Sequence, residues 1–493
     1  MKNYLEQYNE GAAAYKHGAY EKALELFNEA MNAPDCPESF RYCVHDAKAL
    51  TLKSLDDVAR AVGEYEQAVN GAMMYGTTEE RQLIMSNYLM TLHYIDGVSD
   101  EKMRDEHFRA QEIYKDVVPF SFDARDKARR RQKKKIRVGY ISPDVADHIA
   151  MHFAVQLFAS YSRDRFEVVL YETGSRKDEV TDWLESMVNA RRDVSSMSAD
   201  DAARRIRDDD IDILFDLAGH TDGGATMAIM ARHPASVTIC GIGYFDTTGL
   251  SACDYFLGDV YCDGTWADAL FREKIIRLPH SHFCYTPPES VLSVTRERTA
   301  HDYVTFGSFN NFLKITDEML SAWREILSRV DDARLLLKNT WRGDDHVACM
   351  TARLKRLGFD MARVDVRQGT WKYMDEYMDI DIALDTYPYT GGGTTCEALY
   401  MGVPVVTRYG MRHGSRFGYS LLENVGLDEL AAPTLDEYVE RAVMLASDRE
   451  LIAMLHGALR GMMQRSPLMD VKGYIGEVEA AYEKIWADWL CEI

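Results

Sequence analysis

No stretch of this chain approaches the ~18–20 consecutive apolar residues that a membrane-spanning helix requires. The opening residues, Met1-Lys-Asn-Tyr-Leu-Glu-Gln-Tyr8, also lack the apolar segment of a secretory signal. Paired-cysteine spacings are missing too. The nine cysteines are scattered from Cys36 to Cys491, with no CxxC or CxH spacing for zinc or redox chemistry. They read as small buried side chains in a reducing compartment. Positive charge is in deficit: 57 basic against 79 acidic residues give a formal charge of −22, which argues against a broad nucleic-acid surface. These absences leave a soluble, cytoplasmic protein. Its 493 residues predict two to four domains, and its 46% apolar and 28% charged residues are ordinary for a globular chain.

The first part of the chain reads as wholly helical. Gly11 to Met31 places small residues at Ala12, Ala13 and Gly18, then large ones at Tyr15, Tyr20, Leu24 and Phe27, with Ala23 and Ala30 among them. That is the pattern of a tetratricopeptide repeat, in which small residues let paired helices approach. A degenerate second copy covers roughly Arg41 to Ala72. A third helical pair follows, around Ser86-Asn-Tyr-Leu-Met-Thr-Leu-His-Tyr94 and Glu101 to Val117. Such repeats bind peptides or subunits, or only cap a neighbouring domain. The dense basic run Asp126 to Lys135 reads as a solvated linker.

Strand and helix then alternate. Buried strands are expected at Lys135–Ser142, Phe166–Tyr171, Ile211–Leu217, Val237–Ile242 and Lys274–Leu278. A second set is expected at Val304–Ser308, Arg334–Lys338, Val364–Arg367, Ile380–Leu384 and Val403–Thr407. This alternation implies two Rossmann-like halves with a cleft between them, and ligands beyond the C-terminal strand ends. The segments are therefore 1–122 helical, 123–135 linker, 136–297 first lobe and 298–493 second lobe. Tyr474, Tyr482, Trp486 and Trp489 in the last helix are expected to pack on the core.

The most informative stretch is Asp385-Thr-Tyr-Pro-Tyr-Thr-Gly-Gly-Gly-Thr-Thr-Cys-Glu397. Gly391, Gly392 and Gly393 allow backbone N–H groups close to a ligand. Thr394 and Thr395 add hydroxyls at a helix start that favours negative charge, and Glu397 can accept from ribose hydroxyls. Diphosphate on the helix and sugar on the acid is how a nucleotide-sugar is held. The plainer alternative is a solvent-exposed turn. Lys314, after the first strand of the second half, can neutralise a leaving diphosphate. In the first half, His148 and His152 lie one turn apart without a third metal ligand nearby, and His220-Thr221 is expected to face the cleft. The loop Gly243 to Gly249, with Tyr244, Asp246, Thr247 and Thr248, has sugar-binding character. The Asp-x-Asp triplets at 210–212 and 379–381 open buried strands and are read as strand caps rather than metal ligands.

Taken together, these segments resemble the O-linked N-acetylglucosamine transferase/SPINDLY family (glycosyltransferase family 41), in its bacterial form with few repeats. Matching order runs through Arg137-Val-Gly-Tyr-Ile-Ser-Pro-Asp144, Gly219-His-Thr221, His233-Pro-Ala235, Gly243-Tyr244 with Thr247-Thr-Gly249, Phe309-Asn-Asn311 with Lys314, and Leu384 to Thr407. The resemblance implies a GT-B fold after an all-α repeat region, and inverting, metal-free transfer from a nucleotide-sugar to Ser or Thr of a protein acceptor. No further cofactor and no nucleic-acid partner are implied. By position it puts Lys314 on the diphosphate with Asn311 beside it, and Thr394 and Thr395 on the β-phosphate. Glu397 would hold the ribose, Gln368 to Tyr373 the base, and His148 matches a family histidine lining the reaction centre. Among side chains that could take the acceptor proton, His148 stands first with His220 behind it. The family's Gly-Tyr-Pro is here Gly243-Tyr-Phe245, followed by Asp246. Tyr373 replaces a base-stacking histidine, and Glu397 an aspartate in some members. Donor identity stays open between UDP-N-acetylglucosamine, expected first, UDP-glucose and GDP-fucose. A sugar-nucleotide epimerase and a non-catalytic repeat adaptor with a relict lobe are the rival readings.

Overall fold

Three of the five helices up to Leu92 start where a side chain satisfies an orphan amide of the first turn, while Tyr20–Asn32 and Arg41–Ser54 have no side-chain cap. Asn3 with Glu6 and Thr77 with Glu80 form reciprocal caps on helices Tyr4–Lys16 and Thr78–Leu92. Between them lie Tyr20–Asn32, Arg41–Ser54 and Val58–Tyr75, which with Tyr4–Lys16 make the first two of the three expected helix pairs. The closest approaches fall on glycines the pattern did not single out, while Ala12 packs against Ala23, Phe27 and Val44 as the pattern suggested. A Cβ at Gly11 would come 2.7 Å from the Phe27 ring, and one at Gly71 2.6 Å from Tyr42, whereas Ala13 is exposed. Gly18, at φ +76°, turns the chain between the first two helices. The computed structural model describes residues 2–292, 294, 296–298 and 301–491.

Among the described residues, two parallel sheets follow. The first contains β1 Ile136–Ser142, β2 Phe166–Glu172, β3 Ala190–Asp193, β4 Ile213–Asp216, β5 Val237–Gly241, β6 Tyr255–Asp259 and β7 Lys274–Leu278, in the order β3-β2-β1-β4-β5-β6-β7. The second contains β8 Thr305–Ser308, β9 Arg334–Lys338, β10 Val364–Arg367, β11 Ile382–Leu384, β12 Val405–Arg408 and β13 Ala431–Ala432, ordered β10-β9-β8-β11-β12-β13. Both orders reverse beside their first strand, which is the doubly wound arrangement. Strand residues such as Tyr140, Leu170, Phe215, Phe306, Leu337 and Val406 are buried, as covering a parallel sheet on both faces demands.

The chain forms two compact units that cut across the four sequence segments. One comprises Met1–Val98, Ser290–Gly410 and Glu429–Arg460, so the early helices belong with the second sheet. The other comprises Ser99–Glu289, Met411–Asp428 and Gly461–Ile493. The last helix, Val471–Cys491, thus belongs with the first sheet, where Tyr482 Oη meets Tyr140 Oη at 3.1 Å. Tyr474, Tyr482 and Trp486 are buried and Trp489 stacks on Trp486, which is the packing role expected for these aromatics.

The basic run is not a solvated linker. Residues Ala124–Arg130 form a helix capped by Asp123. Arg130 is buried against Asp212, and Lys133 lies 2.8 Å from Asp210 and 2.7 Å from Asp212. The excess of cations there matches the two acids at the entrance of β4. No described helix is long and apolar enough to cross a membrane.

Candidate donor site and its relatives

In the second sheet the order reverses between β8 and β11, so the loops leaving those two strands meet at the switch point. The β8 loop carries Phe309 to Lys314, and the β11 loop carries Asp385 to Gly392. A helix follows at Gly393–Tyr400, with Gly392 as its cap residue. Asp385 organises the β11 loop. Its Oδ1 accepts from Thr386 N at 2.8 Å and Gly391 N at 2.7 Å, and its Oδ2 from Thr407 Oγ1 at 2.7 Å. Gly391 is needed as glycine. A Cβ there would lie 2.5 Å from Thr394 Oγ1 and 2.8 Å from Thr395 Oγ1, so the missing side chain is what leaves the hydroxyls their place.

Lys314 ends the short helix Phe312–Lys314. Its Nζ donates to Thr390 O at 3.3 Å and stands 3.5 Å from the centroid of the Tyr389 ring. Burial pulls its ammonium down to about 8, opposed by the Asp385 carboxylate, while burial raises Asp385. Asn311, expected beside the diphosphate, instead caps that helix by accepting from Leu313 N at 3.0 Å. Its neighbour Asn310 accepts from Thr394 Oγ1 at 3.0 Å. The Asn-Asn pair signalled the position, and only the structure shows which of the two reaches the threonine.

Glu397 lies one turn into the helix and is 5% exposed. Tyr373 Oη donates to Oε1 at 2.7 Å and Tyr377 Oη to Oε2 at 3.2 Å. Burial raises its carboxyl to about 7 against the pull of these two hydroxyls. Tyr373 is thus tied to the candidate ribose acid. Gln368 is held from both ends: Lys338 Nζ donates to its carbonyl at 2.8 Å, and its Oε1 accepts from Gly343 N at 3.0 Å. Asp385, Asn310, Tyr377, Tyr389 and Lys338 were not singled out from the sequence. Asp385 had a legible signal, a polar residue ending an apolar strand before glycines; Lys338 shared that place at the end of β9.

The first-sheet candidates fare differently. His148 caps helix Ile149–Ala159 through Nδ1, which accepts from Ala150 N at 3.4 Å. Its side chain is 42% exposed, and Nδ1 lies 3.5 Å from Asp144 Oδ2. His220 does not face open space. It is 2% exposed, its Nε2 bonds Thr248 O at 2.9 Å, and burial drops it to about 3. The loop expected to bind sugar is also spent internally. Tyr244 Oη pairs with His107 Nε2 at 2.6 Å, and Asp246 pairs with Arg412. Thr247 Oγ1 donates to Glu273 at 2.6 Å, as does Thr248 N at 2.8 Å, and all four loop residues are buried. A buried carboxylate fixes them because leaving it unpaired would cost several kcal/mol.

Neither Asp-x-Asp triplet presents open carboxylates. The first is met by Arg129, Arg130 and Lys133. In the second, Asp379 pairs with Arg296 and Arg367, and Asp381 accepts from Thr305 N. Among the described residues of the first-sheet unit, Asp259, Cys262 and His282 bring ligand atoms within 4.8 Å. Asp259 is already taken by the His282 ring, Ser420 and backbone amides, a structural arrangement.

Two doubly wound parallel sheets, one with a hydroxyl-lined helix start and a lysine at its switch point, define a GT-B-type transferase fold. The chain belongs to glycosyl transferase family 41, whose model matches residues 111–288 and 285–478. It is 35% identical over 409 residues to a probable UDP-N-acetylglucosamine–peptide N-acetylglucosaminyltransferase, SPINDLY, of Solanum lycopersicum, covering 81% of this chain and 44% of that protein. To the probable transferase SEC of Arabidopsis thaliana it is 29% identical, over 72% of this chain and 37% of that one. The chain spans less than half the length of these curated relatives. A solved O-GlcNAc transferase mutant of Thermobaculum terrenum superposes with a TM-score of 0.85 at 27% identity, covering 98% of this chain and 91% of that one.

Proposed function

We propose that this chain is a protein O-glycosyltransferase that moves a sugar, N-acetylglucosamine first among the candidates, from a nucleotide-sugar to Ser or Thr of a protein acceptor, with inversion and without a divalent cation. The observation that carries the reading is Lys314 Nζ, 3.3 Å from Thr390 O, beside the hydroxyl-lined start of helix Gly393–Tyr400. Cation, amides and hydroxyls together offer a leaving diphosphate the positive charge that a metal supplies elsewhere. The acceptor oxygen attacks the anomeric carbon opposite the diphosphate. As that bond forms, the bond from carbon to the β-phosphate oxygen breaks, and its electron pair leaves with the diphosphate. His148 is the candidate to take the hydroxyl proton. For Nε2 to take that proton, Nδ1 must give up the 3.4 Å bond it accepts from Ala150 N and carry the ring proton toward Asp144 Oδ2, 3.5 Å away.

Glu397 and Tyr373 are assigned to the ribose and base, with the backbone of Gln368 shaping the base pocket. The helical repeats are assigned to the acceptor protein. The nine cysteines are all free thiols, which fits the cytoplasmic setting proposed here.

Incubation with a panel of UDP- and GDP-sugars, followed by intact mass of co-expressed candidate acceptors, tests this reading. A mass gain of one sugar that persists in chelator supports it and names the donor. Conversion of the donor to another sugar without an acceptor would make the chain an epimerase. Binding of every donor without turnover would make it an adaptor.

A further inference from the structure

The motif Ser86 to Tyr94 at the end of the repeat helices has no part in the chemistry above, yet it ends close to it. Tyr94, just beyond helix Thr78–Leu92, lies with its ring centroid 6.0 Å from that of Tyr389, the planes tilted by 32°. Tyr389 in turn presents its ring to Lys314 Nζ at 3.5 Å. Lysine, ring and second ring are therefore in successive contact within one compact unit. An ammonium on an aromatic face is attracted by the ring quadrupole, most strongly where water is excluded. The offset tilt of the two tyrosines is a preferred aromatic geometry.

We propose that Tyr389, backed by Tyr94, is a positioning residue for Lys314: its ring face fixes the ammonium at the diphosphate site and holds it as a cation. This rests on the donor-site reading given above. The need is physical. Burial works against the charged form of Lys314, and the titratable groups facing it are Asp385 on the β11 loop, Tyr389, and Tyr94 behind. Asp385 also spends its oxygens on Thr386, Gly391 and Thr407, so the ring, together with the Thr390 carbonyl, sets where the ammonium stands. Through Tyr94, the repeat helices contribute to the geometry of the reaction centre independently of any acceptor they bind.

Reductive ¹³C-methylation of lysines, with the Lys314 signal assigned by its loss in Lys314→Arg, reads this directly. The dimethyl-Lys314 resonance should lie upfield through ring current and titrate near 8. In Tyr389→Leu the upfield offset should vanish and the midpoint fall by roughly one pH unit, because the quadrupole that favours the cation is gone. Tyr389→Phe should restore both, and Tyr94→Leu should give an intermediate offset. In turnover of UDP-N-acetylglucosamine, or of the sugar nucleotide identified by the panel, Tyr389→Leu should lower kcat roughly tenfold with KM nearly unchanged. Its alkaline limb should move to lower pH, with Tyr389→Phe recovering most of the rate. A Lys314 signal among the surface lysines, or a Tyr389→Leu variant matching the parent in kcat and alkaline limb while Lys314→Ala is inactive, would overturn the proposal alone. Full turnover in Lys314→Ala would overturn the donor-site reading with it.

Discussion

A lysine ammonium placed beside the start of a helix is an electrostatic contradiction until something anionic arrives to share. The N-terminal amides of Gly393–Tyr400 and the Lys314 cation both carry positive potential; Asp385 answers part of it, and on the proposed reading a diphosphate relieves the rest. Charge that grows on the leaving group in the transition state gains most from them. Lys314→Ala is therefore expected to lower kcat by roughly 10²–10³, a few kcal/mol of transition-state stabilisation, with thermal stability nearly unchanged; steady-state kinetics beside a melting curve measure both. The parent should lose rate as pH rises through about 8, where Lys314 gives up its proton. At this scale the sequence marked residues that the fold gathers on the loops after β8 and β11 and on the helix that follows. Lys314, Thr394, Thr395 and Glu397 could be picked out because a cation, hydroxyls and an acid in that order have few other uses. His220 and the loop from Tyr244 to Thr248 show the same residue types spent on the interior. Their partners Glu273, His107 and Arg412 lie tens to over a hundred residues away, and no local pattern announces such pairings.

Elements were more legible than their edges. Strands β7, β9 and β10 fall on the expected bounds and β1, β2, β5 and β8 within a residue; most are apolar runs because a parallel sheet is covered on both faces, while the part-buried edge strand β10 shows in its alternating valines. Strand β3, Ala190-Arg-Arg-Asp193, escaped notice because it has no apolar run or alternation to mark it, and the buried β6, Tyr255–Asp259, was missed as well. The basic stretch before β1 misled for a related reason. A run of cations is a solvated surface unless distant acids answer it, and here Asp210 and Asp212 do. The glycine-rich turn offers a clean test of how tightly an element is built. In Gly391→Ala the new methyl would meet the Thr394 and Thr395 hydroxyls and, at 3.0 Å, Asp385 Oδ1. The helix start would have to shift by several tenths of an ångström, enough to spoil donor alignment without unfolding a helix anchored further along by Cys396, Ala398 and Leu399. A loss of roughly 10–100-fold in kcat/KM is expected, with unchanged far-ultraviolet circular dichroism. Full activity in that variant would show that the hydroxyls are not held for a ligand.

For the molecule as a whole, net charge and buried acids push stability the same way. Burial raises Asp46, Asp56, Asp96 and Asp216 to about 6 and Glu397 to about 7. The folded chain therefore binds more protons than the unfolded one between the ordinary carboxylate range and those values. By linkage, their contribution is fully present below about 4 and is lost as pH rises through about 6 to 7. The formal charge of −22 adds self-repulsion that grows over the same interval. At the acid end the sign reverses. Burial pushes Asp259 up, but the His282 ring and backbone amides prevail and hold it at about 2, so its stabilisation disappears as pH falls through about 2. Maximal stability should then lie between about 4 and 6. Thermal unfolding at low protein concentration should give a lower Tm at pH 8 than at pH 6, and Glu397→Gln should flatten part of that slope. At pH 8, added salt at about 0.15 M, which shortens the screening length to about 8 Å, should recover some of the loss because repulsion between exposed acids is screened while burial of the carboxyls is not. A Tm that rises from pH 6 to pH 8 would mean that these carboxyls reach water in the folded chain. Glu397, proposed for the ribose, would then be an ordinary anion rather than a group poised between its two charge states.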